Sequence, residues 1–275
     1  MEALYHSNTF STVKTLPGGE LLAEAFLLST DFEAAGRLQV DLKSFLIREA
    51  AWNIYRSPGG NLDGGGEVPE LRGVEAYFNA GGALRRAVGG AGGGWPRELL
   101  AECVRGIIQA ETYIFVERGY PTAEAYEKYW EEAYLNSCRY YSNLDRVTTS
   151  WFGHVGNHDR QGCLYSRCKS CAVYRRPAGG LAAAGSFSDS FHELGVNLTL
   201  DEEGIVTAAR GNFLRAPDRV CFENAGHLDY LSGKQIAVMN KKVVAEGIGG
   251  PQGCNHLVDL VYDLGRAVAA VKEQR

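Results

Sequence analysis

Cys163, Cys168 and Cys171 fall within nine residues, in the run Gly-Cys-Leu-Tyr-Ser-Arg-Cys-Lys-Ser-Cys. Thiolates are soft ligands, and several of them so close together in a chain without a secretory signal point to a metal rather than to disulfides. The x4-then-x2 spacing matches the plant-type ferredoxin run, whose fourth cysteine comes from elsewhere. Cys138 is the expected fourth ligand; His154 and His158, four residues apart and just upstream, are the alternatives. The expected cofactor is therefore an iron–sulfur cluster, the 4Fe-4S type included. Zinc is the alternative, and it would need Cys138 or His158 to complete a tetrahedron. Arg160, Arg167, Lys169, Arg175 and Arg176 surround the run against Asp159 alone, a balance that favours thiolates.

A second set lies further on. Cys254 stands in Gly-Gly-Pro-Gln-Gly-Cys-Asn-His-Leu, ahead of an expected helix, and His256 is two residues away. The positive end of a helix lowers a thiol pKa, so Cys254 and His256 read as a candidate catalytic pair, a nucleophile with its base. With His192 and Cys221 they also form a candidate second metal site. The bland alternative is that Cys221, Cys254 and His192 are core and sheet residues. Cys103, with Leu99, Leu100 and Ile107 on one helix face, reads as core.

The elements that must position these groups repeat. At a shift of 159 residues, Ser29, Phe32, Gly36, Ala50, Asn53, Arg56 and Pro58 fall on Ser188, Phe191, Gly195, Ala209, Asn212, Arg215 and Pro217. Beyond that the shift becomes 160, and Leu71, Gly73, Gly89 and Gly90 fall on Leu231, Gly233, Gly249 and Gly250. A tandem duplication of one α+β unit, an antiparallel sheet backed by helices, accounts for this. The strands are expected at Glu20–Ser29, Gly180–Phe187, the alternating stretch Leu194–Leu200, and Ile205–Leu214 after an Asp201–Gly204 turn. Ile236, Met239 and Val243 are expected on one helix face. Leu257, Leu260, Val261, Leu264 and Val268 form the stripe of a last helix from about Asn255, matched near Pro96 in the first copy. Residues 1–118 and 174–275 are the two repeats. Residues 119–173 are an insertion: a helix bearing Tyr126, Trp130, Tyr134 and Cys138, then a loop carrying the cysteines. The glycine-rich stretches 59–66 and 80–94 read as loops. The groups of the second set have no counterpart in the first repeat.

Ser188–Leu194 (Ser-Asp-Ser-Phe-His-Glu-Leu), Arg215–Cys221 (Arg-Ala-Pro-Asp-Arg-Val-Cys) and Gly253–Leu257 (Gly-Cys-Asn-His-Leu) resemble a bacterial family, domain of unknown function 2889, over about 180–270. The first repeat lacks the Gly-Cys-x-His-Leu motif. The resemblance implies no activity. The order of elements is also similar to that of iron–sulfur scaffold proteins of the NifU type, with one cysteine after a strand and another opening the last helix.

Bulk composition narrows the classes. Of the 275 residues 45% are hydrophobic, enough for a core without staples, and the net charge of −5 argues against general nucleic-acid binding. No apolar run of membrane-spanning length and no leader pattern is present, so a cytoplasmic protein is expected. The expected function is metal binding through the cysteine loop, for electron transfer, cluster delivery or support of a neighbouring site, with a protein or small-molecule partner and a homo-oligomer among the options. An enzyme acting through Cys254 and His256 on a thioester or other small substrate is the second expectation. A zinc-stabilised structural module is the third.

Overall fold

A computed structural model of the chain describes residues 1–156 and 159–273. The elements in chain order are β1 (Glu2–Leu16), β2 (Glu20–Ser29), β3 (Glu33–Asp41), β4 (Ile47–Arg56), β5 (Gly64–Glu67), α1 (Ala80–Val88), α2 (Trp95–Ala110), α3 (Ala123–Ala133), α4 (Trp151–Val155), β6 (Cys163–Arg175), β7 (Leu181–Asp189), β8 (Glu193–Leu200), β9 (Val206–Arg215), α5 (Lys241–Ile248) and α6 (Asn255–Glu273). The class is α+β. Two units divide the chain. The amino-terminal unit is Asn8–Tyr126 with Asn157–Cys168; the carboxy-terminal unit is Met1–Ser7, Glu127–Gly156 and Lys169–Arg275. Residues 119–126 fall in the amino-terminal unit, and 127–156 and 169–173 in the carboxy-terminal unit. Among the described residues no helix is long and apolar enough to cross a membrane.

In the amino-terminal unit the strands run in the order β5-β4-β3-β2-β1. Alternation sends Leu21, Ala23, Ala25 and Leu27 of β2 inward, and β3 pairs antiparallel to them, Ala25 opposite Gly36. The apolar side of α2 (Leu99, Leu100, Cys103, Ile107) covers this face, and each such buried aliphatic side chain stabilises by roughly 1.5–3 kcal/mol. The helix approaches so closely that a Cβ on Gly36 would stand 2.9 Å from that of Leu99. Cys103 is core as expected, its thiol donating to the Gly36 carbonyl. Part of the glycine run expected as loop is instead β5, paired with Ala51–Ile54; a side chain on Gly65 would meet the Trp52 carbonyl. Beneath α2, buried Glu102 accepts from Arg167 (2.9 Å), Arg105 and Ser11.

The carboxy-terminal unit has the order β6-β7-β8-β9, with β7–β8 and β8–β9 antiparallel. Leu194, Val196, Leu198 and Leu200 point inward, as their alternation predicts, and the α6 stripe Leu257, Leu260, Val261, Leu264 and Val268 packs in the same core. The Asp201–Gly204 turn forms, closed by the Asp201 N–H on the Ile205 carbonyl. The helix expected over Ile236–Val243 is corrected. Ile236–Val238 is a single 3₁₀ turn, and α5 starts only at Lys241, because Asn240 caps it by accepting the Val243 N–H at 3.0 Å. The helix expected to carry Tyr134 and Cys138 ends at Ala133, before either residue.

The same local devices occur in both units. Arg56 donates to the carbonyls of Thr30 and Ser29, and Arg215 to those of Asp189 and His192. Gly73 donates its N–H to Ile47 O at 2.9 Å, and Gly233 to Val206 O at the same distance.

Candidate functional site

The expected cysteine loop is strand β6, and this overturns its geometry. In an extended chain neighbouring side chains alternate, so Cys168 faces away from the side carrying Cys163 and Cys171. Cys163 and Cys171, eight residues apart, are separated by about 26 Å along a strand. The burial pattern agrees: Cys163 and Cys168 are exposed, Cys171 is buried. β-branched and aromatic neighbours such as Val173, Tyr165 and Tyr174 favour the strand over a wrapping loop. Cys138 is partly buried and packs against the core of the carboxy-terminal unit. His154 is on α4, where its ring Nε2–H donates to the Phe191 carbonyl at 2.8 Å, and burial pushes its pKa below the usual value. His158 lies outside the described residues.

A different group converges. The β7–β8 hairpin closes with the Asp189 N–H on the His192 carbonyl at 2.8 Å. Within that turn the Asp189 Oδ1 accepts the N–H groups of Phe191 (2.8 Å) and His192 (2.7 Å) and lies 3.2 Å from His192 Nδ1. This is an Asx-type turn, favoured because a short carboxylate satisfies its own following backbone. Arg215 locks it from outside through two carbonyls. The first turn of α6 brings His256 over the hairpin, its ring 3.9 Å from that of His192, against Phe187 at 5.0 Å. One carboxylate oxygen of Asp189 and one nitrogen from each of His192 and His256 all lie within 4.8 Å of one another. Among the described residues this is the group of His, Cys and carboxylate side chains able to hold an ion. Asp189 and His192 are buried and His256 is half-buried.

Of the expected second set, His192 and His256 therefore meet, and Cys254 stands beside His256 with Sγ 3.9 Å from Nδ1. Cys221 is not in this group. Burial works against the expected reactive thiol. Burial pushes Cys254 up to about 12, outweighing the N–H groups of Leu257 and His256 at the head of α6, so the sulfur is a thiol at neutral pH. Asp189 was not foreseen. The signal was Asp-Ser-Phe-His between two alternating runs, where an Asx turn sets positions i and i+3 on one side.

The corresponding turn of the amino-terminal unit is built alike with other chemistry. The Ser29 hydroxyl accepts the Phe32 N–H at 3.0 Å, and Phe32 stacks on Trp95 at the head of α2, with ring centroids 4.9 Å apart.

No curated protein matches the chain. Residues 167–270, which include Asp189, His192, Cys221, Cys254 and His256, match the family model described as Protein of unknown function (DUF2889).

Proposed function

We propose that the carboxy-terminal unit is a metal-binding module that holds one divalent transition ion on Asp189, His192 and His256. The convergence of their ligand atoms within 4.8 Å carries this reading. Two imidazoles and one carboxylate suit zinc or ferrous iron and leave coordination positions open for water or a substrate. The turn's N–H groups orient Asp189 before an ion arrives, the role that outer hydrogen bonds play at metal centres. That all seven cysteines are free thiols supports a reducing, cytoplasmic setting.

The experiment is metal analysis of protein purified without oxygen and then loaded with zinc or ferrous iron. About one equivalent is expected in the wild type, lost in His192→Ala and His256→Ala. Full occupancy in the double variant would overturn the assignment. The iron–sulfur reading on Cys138, Cys163, Cys168 and Cys171 makes a separate prediction: a brown protein with iron and acid-labile sulfide, lost in Cys168→Ser. The strand geometry of β6 gives that reading less support.

The repeated Arg56/Arg215 clamps and Gly73/Gly233 bonds support a tandem duplication of the α+β unit. In the first copy Ser29, Phe32 and Trp95 occupy the turn and stack of the ion site, so only the second copy retains the ligands.

A further inference from the structure

His154 is bonded to a peptide group that the candidate site itself uses. Its ring Nε2–H donates to the Phe191 carbonyl at 2.8 Å. That carbonyl and the His192 N–H belong to one planar peptide. The same peptide gives its N–H to Asp189 Oδ1 at 2.7 Å. One plane is thus held at both ends, by His154 of α4 on the carbonyl and by the Asp189 carboxylate on the N–H. Hydrogen bonds in series polarise one another, so the donor on the carbonyl strengthens the bond that orients Asp189.

A second contact is independent of that bond. The Trp151 ring packs on Phe191, with centroids 4.7 Å apart, so α4 touches the hairpin turn between Asp189 and His192 through a side chain as well as through the backbone. Behind this contact α4 is tied down. Ser150 caps it by accepting the Gly153 N–H at 3.0 Å, and the Trp151 N–H donates to Glu127 Oε1. Just upstream, Asp218 Oδ2 accepts the N–H groups of Thr148 (2.9 Å) and Thr149 (3.1 Å). In the amino-terminal unit the residue before the stacking Phe32 is Asp31, so that turn offers no ring for such a helix to press on.

We infer that α4 is a strap that controls the Asp189–His192–His256 site, with His154 and Trp151 as its positioning residues. The inference rests on the metal reading given above and adds its regulation. Ion affinity depends on the docked strap, because rotation of the Phe191–His192 peptide carries Asp189 and His192 out of the arrangement in which their ligand atoms meet. Hydrogen-bond partners behind a ligand change metal affinity by about 10–100-fold. Coupling is reciprocal, so the ion in turn holds α4 against the hairpin. Whatever draws α4 off the hairpin weakens the site.

The test titrates zinc into the full chain by competition with a chromophoric chelator, at a temperature where every variant is folded. His154→Ala and Trp151→Ala should bind about tenfold more weakly than wild type, or worse. His154→Gln keeps an N–H donor at the place of Nε2 and should stay close to wild type. A helix that only stabilises the fold would lower the thermal midpoint of ion-free His154→Ala and leave its zinc affinity unchanged, and that result overturns the inference. Amide exchange tests the reciprocal half without altering α4. Zinc should slow exchange at His154 and Gly156, whose N–H groups donate to the Ser150 and Phe152 carbonyls, and should not do so in His192→Ala. Unslowed exchange in zinc-loaded wild type also overturns it, even where the alanine variants fail to fold. If wild-type protein takes up no zinc, the metal reading falls and the strap with it; zinc binding that ignores both His154 and Trp151 removes the strap alone.

Discussion

His192 and His256 stack ring on ring, with centroids 3.9 Å apart and planes tilted by 36°, although one closes a hairpin and the other opens a helix. The amino-terminal unit joins the same kinds of element through Phe32 and Trp95. The contact between hairpin and helix is therefore a packing feature that needs only two flat rings.

This separation of packing from ligation can be tested with His256→Phe. The stack survives, so thermal stability should change by about 1 kcal/mol or less. The ion should be lost. Calorimetry and metal analysis on one preparation check both, and a stoichiometric ion in the variant would contradict the role given to His256.

Asp218 ties the stretch after Asn143 to the 3₁₀ segment. It accepts the Thr148 N–H (2.9 Å) and hydroxyl (3.0 Å), the Thr149 N–H (3.1 Å) and, through its other oxygen, the Val220 N–H (3.2 Å). Burial works to raise its pKa, but these bonds prevail and hold the carboxyl below the usual range. A carboxylate with a depressed folded pKa contributes stability above its unfolded value of ~3.9, and that contribution is lost as pH falls through the folded value. Asp218→Asn should cost about 1–3 kcal/mol at neutral pH and flatten the acid side of the thermal-midpoint profile below about pH 5. An unchanged acid limb in that profile would count against the carboxylate's role.

The pair Glu102–Arg167 is buried on both sides, 4% exposed at each side chain. Loss of Arg167 breaks this buried pair and leaves Glu102 to Arg105 and Ser11. Arg167→Met alone should lower stability by about 3–5 kcal/mol, whereas Glu102→Leu with Arg167→Met should recover much of that loss. Chemical denaturation of the three proteins measures it, and equal losses in the single and double variants would show that the charges are not coupled.

Thiol reactivity should follow burial rather than charge. Cys163 and Cys168 are exposed, whereas burial pushes Cys221 and Cys254 up to about 12 and raises Cys103 and Cys171 as well. Iodoacetamide at neutral pH should label Cys163 and Cys168 first, by peptide mass spectrometry, and leave Cys103, Cys171, Cys221 and Cys254 unmodified in the native protein. Early labelling of Cys254 would instead revive the nucleophile reading.

Much of the framework was legible in the chain. Alternation at Leu194–Leu200 placed β8, the stripe Leu257–Val268 placed α6, and Pro96 marked the head of α2. These readings succeed because period and capping are local properties: a strand must alternate, and a helix must bury one side. Local spacing also misled. Three cysteines at x4 and x2 converge if the backbone wraps, and diverge if it extends. That choice is made by the strand that β6 lies beside, not by the cysteines themselves.

What only the tertiary structure decided is which distant groups share a space. His192 and His256 carry no mark of one another in sequence, and Asp189 reads there as an ordinary turn residue. The hairpin–helix contact joins them because the sheet buries one face and α6 must cover it. The same burial fixed the state of Cys254. The sequence determined that a helix would begin there; desolvation by the surrounding core decided that the thiol keeps its proton.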